Sequence, residues 1–292
     1  MTDIAELIRR FWELQGASVE PLGGGINSET WLVRHQGSTY VAKRVSPDAL
    51  DNLVAGCEVA EALAAAGFAT GPPVRTADGR VALAEHALAL LTYVPGRELD
   101  GETDEEQHWI AGTLAGVHTA GDPASRRFGS AFMADWLTPE LPGVTENPWL
   151  VRVLEHVRSE TDSLEVTWSV LHTDPAPEAF RHDADTGITG LVDWTGARRG
   201  PVLYDVASAV MYLGGRERAA AFLGAYTAKS PLASDEMRHL DAFRRFREAV
   251  QGAYFAWRLA TNDLTGGIDP TENEKGLDDA RRRIAALGLR PG

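Results

Sequence analysis

The sequence predicts an α+β fold of two lobes: a small N-terminal lobe with an antiparallel sheet plus a helix, and a larger, mainly helical C-terminal lobe. The first observation is that short strand-like runs, separated by turn residues, fill much of the chain up to Pro95-Gly96. The second is that nearly every segment after this dipeptide has the apolar spacing of an amphipathic helix. We therefore predict lobes of residues 1–94 and 95–292, with the functional site in a cleft between them.

The N-terminal lobe is predicted from turn signals and strand-like runs. An amphipathic helix covers 4–14, and a glycine-rich turn follows at 23–25. A second helix, at 51–67, is rich in Ala and Leu and ends at a glycine. The Asp78-Gly79 dipeptide predicts a hairpin, because both residues accept the backbone conformations of a tight turn. The predicted strands are 30–34, 39–45, 73–76, 80–85 and 87–94.

The C-terminal lobe is predicted to be a set of helices interrupted by one β-hairpin. Apolar residues recur three or four positions apart in the helical segments, which is the period of one helix face. The hairpin lies in the stretch from Val170 to Asp205, where acidic residues flank short apolar runs. The predicted helices are 105–119, 146–164, 204–215, 217–228, 234–262 and 274–288.

Charge and cysteine content narrow the classes of function. The formal net charge of −14 at pH 7 disfavours binding to nucleic acid, which is itself a polyanion. The same charge is compatible with a cationic substrate and with an acidic surface that only maintains solubility. Cys57 is the only cysteine, so an intrachain disulfide and a cysteine-based zinc site are both excluded.

The same features predict a soluble, cytoplasmic protein without a membrane partner. The segment MTDIAELIRRFWELQG is amphipathic and contains acidic residues, unlike a secretory signal peptide. The best apolar run, VALAEHALALLTYV, is interrupted by Glu85 and His86 and is too short to span a bilayer.

Residues that carry chemistry occur in the order found in kinases. The stretch VLHTDPAPEAF contains a His-x-Asp motif, and GLVDW places another aspartate after a glycine-containing turn. Carboxylates beside apolar runs are costly to hold unless they have a partner. Upstream, TYVAKRV places a lysine on a predicted strand, and the next helix carries two glutamates. The set in chain order is Gly24, Gly25, Lys43, Glu58 or Glu61, His172, Asp174 and Asp193.

The chain resembles the aminoglycoside phosphotransferase family of small-molecule kinases, which includes choline-kinase-like and homoserine-kinase-like members. The resemblance covers nearly the whole chain in order and is strongest in LHTDPAPEAF, GLVDW and GPVLYDVA. It implies a two-lobed, protein-kinase-like fold. It also implies that LLTYVPGREL joins the lobes, so that backbone groups at Thr92 and Val94 meet the adenine of a nucleotide.

On the nucleotide side, the resemblance implies a role for each matching residue. Lys43 would contact the α- and β-phosphates of ATP, and Glu58 would hold its ammonium, with Glu61 as the competing residue. Gly24 and Gly25 would let backbone N–H groups approach the phosphates without a Cβ in the way.

On the catalytic side, the resemblance implies two aspartates with separate tasks. Asp193 would hold Mg²⁺, because a hard cation prefers carboxylate oxygen. Asp174 would accept the proton of the acceptor hydroxyl or orient that hydroxyl towards the γ-phosphate. His172 would orient the loop through a hydrogen bond, and Asp205 would brace it.

The sequence departs from the family pattern at two positions of the catalytic loop. The asparagine expected five residues after Asp174 is Ala179, which cannot bind a metal, and the expected glycine of the His-Gly-Asp motif is Thr173. Glu178 could turn inward and replace the missing metal ligand, or it could face solvent. A single-metal site held chiefly by Asp193 and a catalytically impaired protein are further alternatives.

Some polar and aromatic residues of the C-terminal lobe have two interpretations. Tyr254, Trp257 and Glu248 on the long helix could line an acceptor pocket or could pack against neighbouring helices. His118, on an apolar helix face, is predicted to be a hydrogen-bonded core residue, and Trp194 is predicted to pack.

The sequence therefore predicts an ATP- and Mg²⁺-dependent phosphotransferase that acts on a hydroxyl of a small polar molecule, aminoglycoside-, amino-alcohol- or sugar-like. One alternative is a nucleotide-binding pseudokinase, and another is a kinase of peptide Ser or Thr in a tailoring pathway. The identity of the acceptor, ATP versus GTP as the donor, and the oligomeric state stay open.

Overall fold

The computed structural model describes residues 3–23, 27–121, 137–232, 235–265 and 269–289. The chain forms two compact units, residues 1–100 with 177–197 and residues 101–176 with 198–292. The first unit contains a five-stranded antiparallel sheet, and the second is mainly helical. These features confirm the predicted α+β class, with the sheet in the N-terminal part and the helices in the C-terminal part.

The described strands, β1 to β10, are Ser18–Leu22, Ser28–His35, Ser38–Val45, Pro73–Val74, Leu88–Thr92, Arg97–Glu98, Trp168–Leu171, Phe180–Asp183, Ile188–Leu191 and Arg198–Pro201. The described helices, α1 to α8, are Ile4–Phe11, Leu50–Ala65, Asp104–Ala120, Pro148–Thr161, Val202–Tyr212, Ala220–Lys229, Leu240–Thr261 and Pro270–Ala286.

The main sheet of the first unit has the order β1-β2-β3-β5-β4, with every neighbouring pair antiparallel. Helix α1 buries Ile8 in one core cluster with Val33 of β2 and Leu90 of β5. Helix α2 buries Leu53 and Cys57 in a second cluster. Removing these apolar side chains from water stabilises the arrangement, by about 1.5–3 kcal/mol for a fully buried aliphatic or aromatic side chain.

The hairpin predicted at Asp78-Gly79 is only partly present. The turn forms, and Gly79 has a φ of +86° that glycine adopts readily. Strand β4 pairs with β5, with Pro73 opposite Leu91, and the run 80–85 forms no regular strand. The prediction of a strand at 80–85 was wrong. Alternation of apolar and polar residues within one segment does not show whether a partner strand lies beside that segment.

The segment 177–197 belongs to the first unit. The division into functional lobes at residue 94 stays a prediction. Strands β8 and β9 form a three-stranded antiparallel sheet with β6. The N–H of Leu191 donates to the carbonyl of Ala69 at 2.9 Å. Such pairing joins residues far apart in sequence, so the order of elements along the chain does not reveal it.

The second unit consists of α3 to α8 and a two-stranded antiparallel pair of β7 and β10. The helix predicted at 234–262 is instead a short 3₁₀ turn at Glu236–His239 followed by α7, which begins at Leu240. Within the described residues, none of the helices combines the length and the apolar character that crossing a bilayer requires.

Candidate active site

Lys43 and Asp193 form an ion pair in the first unit, although 150 residues separate them in sequence. Lys43 lies on β3, and its Nζ donates to Oδ1 of Asp193. The lysine side chain is only 7% exposed, whereas the aspartate side chain is 54% exposed. A buried ammonium needs an opposite charge close by, and Asp193 supplies it. The structure therefore brings together the two residues on which the kinase interpretation depends.

Asp193 occupies a sharp backbone turn between β9 and a short 3₁₀ segment, Trp194–Gly196. Its φ is +68°, a left-handed conformation that aspartate tolerates better than most residues. The turn is held by the buried ring of Trp194, whose Nε1 donates to the carbonyl of Leu191 at 2.8 Å. Trp194 is thus a packing residue, as predicted.

Helix α2 packs directly on this turn through Gly56. A Cβ at Gly56 would lie 2.3 Å from the carbonyl oxygen of Trp194 and 3.0 Å from Cα of Thr195. Only glycine permits this close approach. Gly56 therefore allows α2 to contact the backbone next to Asp193.

The two candidate glutamates of α2 have different surroundings. Glu61 forms an ion pair with Arg75 at 2.7 Å on the surface, and Glu58 is half-buried. Burial raises the pKa of Cys57 to about 12, an effect that Lys43 opposes and that Glu58 and Glu61 reinforce. All three charges are therefore near Cys57. A role for Glu58 in holding Lys43 stays a prediction.

The metal-ligand candidate Glu178 lies on a 3₁₀ turn, Pro177–Ala179, with its side chain exposed. The carbonyl of Ala179 accepts a hydrogen bond from the N–H of Val192 at 2.9 Å, which ties this turn to the residue before Asp193. In the part of the chain that the structure describes, no group of three or more His, Cys, Asp or Glu side chains is arranged to hold a metal. Glu178 as a ligand stays a prediction.

The segment assigned to adenine begins within β5, whose last residue is Thr92. The N–H of Thr92 donates to the carbonyl of Pro72 at 2.9 Å, so this donor is already used within the protein. Val94 is buried beside Gly190, where an added Cβ would lie 2.6 Å from its Cγ1. Their contacts with a nucleotide stay a prediction, and Gly24 and Gly25 lie outside the described residues.

In the second unit, the fully buried Asp205 on α5 braces the loop that carries His172, Thr173 and Asp174. Its carboxylate accepts the N–H of His172 at 2.7 Å and the N–H of Thr173 at 2.8 Å. It also lies 3.1 Å from Nε2 of His118, whose Nδ1 is 2.6 Å from the hydroxyl of Tyr226. His118 is therefore a hydrogen-bonded core residue, as predicted.

Thr173, which stands where the family pattern has glycine, adopts a left-handed backbone conformation that glycine accepts more readily. Its φ is +73°, which costs a β-branched residue about 1–3 kcal/mol. The bond from its N–H to Asp205 and the bond from the Ser208 hydroxyl to its carbonyl, at 3.3 Å, hold it there. The loop thus keeps a glycine-like shape without the glycine.

Asp174 projects from this loop with 60% of its side chain exposed. Its Oδ1 accepts hydrogen bonds from the hydroxyl of Tyr212 at 2.5 Å and from Nη2 of Arg247 at 3.0 Å. The sequence interpretation missed both partners, because they lie on helices 38 and 73 residues away and carry no local motif.

The three residues considered for an acceptor pocket are engaged with other groups of α7 and α8. Glu248 accepts from Nε of Arg283 at 2.8 Å, and the hydroxyl of Tyr254 accepts from Nη1 of Arg258 at 2.8 Å. Trp257 is half-buried, and its ring centroid is 6.3 Å from that of Tyr254. These contacts favour the packing interpretation.

Comparison with solved structures gives the same fold at low sequence identity. An amicoumacin kinase, solved with AMP-PNP and Ca²⁺, has a TM-score of 0.75 at 13% identity, covering 97% of this chain and 92% of its own. A choline kinase from Streptococcus pneumoniae has a TM-score of 0.73 at 16% identity, covering 97% and 98%. A microcompartment-associated aminopropanol kinase has a TM-score of 0.66 at 17% identity, covering 99% of each chain.

No curated protein sequence matches this chain. A family model described as "phosphotransferase enzyme family" does match, over residues 18–248, which include Lys43, Asp174 and Asp193. Because the match spans most of the chain, this protein belongs to the phosphotransferase enzyme family.

Proposed function

We propose that this chain is an ATP- and Mg²⁺-dependent phosphotransferase that moves the γ-phosphoryl group to a hydroxyl of a small polar molecule. The observation that carries the proposal is the ion pair between the buried ammonium of Lys43 and the exposed carboxylate of Asp193. Family membership supports the reaction class. Phosphoryl transfer needs aligned reactants and positive charge around the phosphates, and this pair would provide a cation and a metal ligand side by side.

Lys43 would bind the α- and β-phosphates, with Glu58 of α2 holding its ammonium once phosphate replaces Asp193 as its partner. Glu58 lies two residues after Gly56, where α2 packs on the backbone of Trp194, next to Asp193, the partner of Lys43. Backbone N–H groups at Gly24 and Gly25 would meet the phosphates.

The residues around Asp193 fit a hard divalent cation. Its carboxylate oxygens are the donors that Mg²⁺ prefers, and more than half of the side chain is exposed. Glu178 is the second carboxylate that we propose for this role, and its exposure leaves it able to turn towards an ion. When bound, Mg²⁺ would neutralise negative charge on the phosphate oxygens.

Asp174 would orient the acceptor hydroxyl and take its proton, while Asp205 keeps the loop in shape through the N–H groups of His172 and Thr173. His172 would thus serve the loop through its backbone rather than act as the base.

For the acceptor we propose a small alcohol and place cationic amino alcohols first. Proteins of this fold include kinases named for choline, ethanolamine and aminopropanol, and a spectinomycin phosphotransferase. The net charge of −14 is compatible with attraction of a cation.

A nucleotide-binding pseudokinase is the second candidate function. Ala179 stands where the family has a metal-binding asparagine, and the neighbouring Glu178 is exposed. Such a protein would bind nucleotide without transferring phosphate.

The test is transfer of labelled γ-phosphate from ATP to choline, ethanolamine, aminopropanol and spectinomycin, with and without Mg²⁺. We expect Mg²⁺-dependent product with at least one of these alcohols. We expect Asp174→Asn to lower kcat by about 100-fold or more while ATP still binds. Full turnover by Asp174→Asn contradicts the assignment of the base. ATP binding without transfer to any alcohol or to water favours the pseudokinase.

A further inference from the structure

Arg247 is a buried arginine of α7 whose guanidinium is held in several directions. Its Nε donates to Oγ of Ser208 at 2.8 Å, and its Nη1 donates to Oε1 of Gln251 at 2.5 Å. Only 6% of the side chain is exposed. Because the guanidinium is planar and its donors form a rigid fork, the group cannot rotate without breaking these bonds.

The remaining arm of the guanidinium reaches Asp174. Its Nη2 donates to Oδ1 at 3.0 Å, and the hydroxyl of Tyr212, on α5, donates to the same oxygen at 2.5 Å. Nη2 also lies 3.4 Å from that hydroxyl oxygen. Two donors on one oxygen fix the orientation of the carboxylate. From the described part of the chain, Oδ2 accepts no hydrogen bond.

The same arginine also supports the backbone of the catalytic loop. Ser208, which accepts from its Nε, donates to the carbonyl of Thr173 at 3.3 Å. Arg247 therefore contacts the side chain of Asp174 directly and the preceding residue through Ser208. A shift of this arginine would move both parts of the loop.

The guanidinium is cationic at every pH at which the protein is handled. Burial opposes its charge, but the neighbouring carboxylates of Asp174 and Glu248 favour it, and the pKa of Arg247 lies above its ordinary value. Asp174 thus has a permanent positive charge beside Oδ1.

We propose that Arg247 and Tyr212 are positioning residues for phosphoryl transfer, because together they hold Oδ1 of Asp174 and leave Oδ2 for the acceptor hydroxyl. This inference rests on the proposed function. In the transfer, the acceptor oxygen bonds to the γ-phosphorus as the bond to the β,γ-bridging oxygen breaks. That electron pair leaves with ADP, and the acceptor proton passes to Oδ2. A carboxylate already held in one rotamer needs no reorganisation for this step.

The first experiment compares Arg247→Met, Arg247→Lys, Tyr212→Phe and a matched control, Arg244→Met. Arg244 lies on the same helix but pairs with Asp241, at 2.9 Å. For each variant, kcat and the KM for ATP are measured with the best alcohol acceptor of the four named above, or with water as the acceptor.

We expect Arg247→Met to lower kcat by about 100-fold and Tyr212→Phe by about 10-fold, with the KM for ATP within about twofold of wild type. Arg247→Lys should recover about tenfold over Arg247→Met, because the ammonium keeps the charge but cannot reach all of the arginine's partners. Arg244→Met should stay within about twofold of wild type. A normal kcat for Arg247→Met, or an equal loss of kcat and ATP affinity, overturns the proposal.

A second experiment needs no turnover and separates this inference from the proposed function. Urea unfolding midpoints are measured for Asp174→Asn, Arg247→Met and the double variant. If Arg247 and Asp174 interact as described, the stability lost by the double variant is smaller than the sum of the stability losses of the two single variants. Additive losses overturn the positioning role. A wild-type chain that neither binds nor turns over ATP contradicts the proposed function, and the cycle still decides whether the pair exists.

Discussion

Among the residues that the structure describes, two ion pairs join a buried cation to an exposed aspartate, and they differ in how the cation is held. The side chain of Lys43 is 7% exposed and that of its partner Asp193 is 54% exposed; for Arg247 and Asp174 the values are 6% and 60%. Lys43 carries its ammonium on a flexible stem and, among the described residues, hydrogen-bonds to Asp193. The Arg247 guanidinium is also hydrogen-bonded to three further side chains, those of Ser208, Gln251 and Tyr212.

This difference indicates different tasks for the two pairs. An ammonium on a flexible stem can exchange a carboxylate for phosphate oxygens, because little else has to move. A guanidinium fixed in several directions keeps its carboxylate in place. We therefore expect the Lys43–Asp193 pair to open when nucleotide and metal bind, and the Arg247–Asp174 pair to persist through the reaction.

The largest stability effect should come from Gly56→Ala, which disturbs the support of the first pair alone. The new methyl group would overlap the backbone of Trp194. We expect a loss of about 2 kcal/mol in the free energy of unfolding and weaker Mg²⁺-dependent ATP binding. Urea unfolding and calorimetric titration measure these effects.

The matched control for that substitution is Gly224→Ala on α6, where an added Cβ has no neighbour within 4 Å. It should stabilise the protein by about 0.5–1 kcal/mol, which is the difference in helix propensity between the two residues. If Gly56→Ala is as stable as this control, close packing of α2 on the Asp193 turn does not contribute to the stability of the protein.

A gain in stability, rather than a loss, is expected from a substitution in the loop that carries Asp174. Thr173→Gly relieves the strain of a threonine at φ +73° and should raise the free energy of unfolding by about 1 kcal/mol. The bonds of Asp205 to the loop backbone do not use this side chain, so turnover should be retained. A lower urea midpoint for this variant would mean that the threonine side chain contributes more than its backbone strain costs.

The smallest effect concerns Cys57 and appears only at alkaline pH. Its thiol has a pKa raised to about 12 by burial, so the unfolded chain loses this proton first as the pH rises. The contribution of Cys57 to the free energy of unfolding is therefore constant below about pH 9 and falls between about pH 9 and 12. Alkylation by iodoacetamide at about pH 8.5 should be at least 100-fold slower in the native protein than in urea, since the thiolate is the reactive form. Equal alkylation rates in the native and the unfolded protein would contradict the burial of Cys57 in the core.

The sequence predicts those parts of the site that follow from ordered motifs. Lys43 on a strand and Asp193 after a hairpin are recognisable because each motif is local, and the structure joins them in an ion pair. The separation of strands from helices is also predictable, since it depends on local periodicity.

The missed features depend on contacts between distant segments. Arg247 lies in a run of arginines on α7, and nothing in that run distinguishes it from Arg244, which pairs with a surface aspartate. The pairing of β4 with β5 likewise depends on which strands come to lie side by side, and alternation within one strand does not encode this.

The most direct test of the central claim is calorimetric titration of ATP, with and without Mg²⁺, into wild type, Asp193→Asn and Asp174→Asn. The account predicts that Mg²⁺ strengthens ATP binding in wild type and in Asp174→Asn, and that Asp193→Asn loses this gain. The same Mg²⁺-dependent gain in Asp193→Asn as in wild type would contradict it.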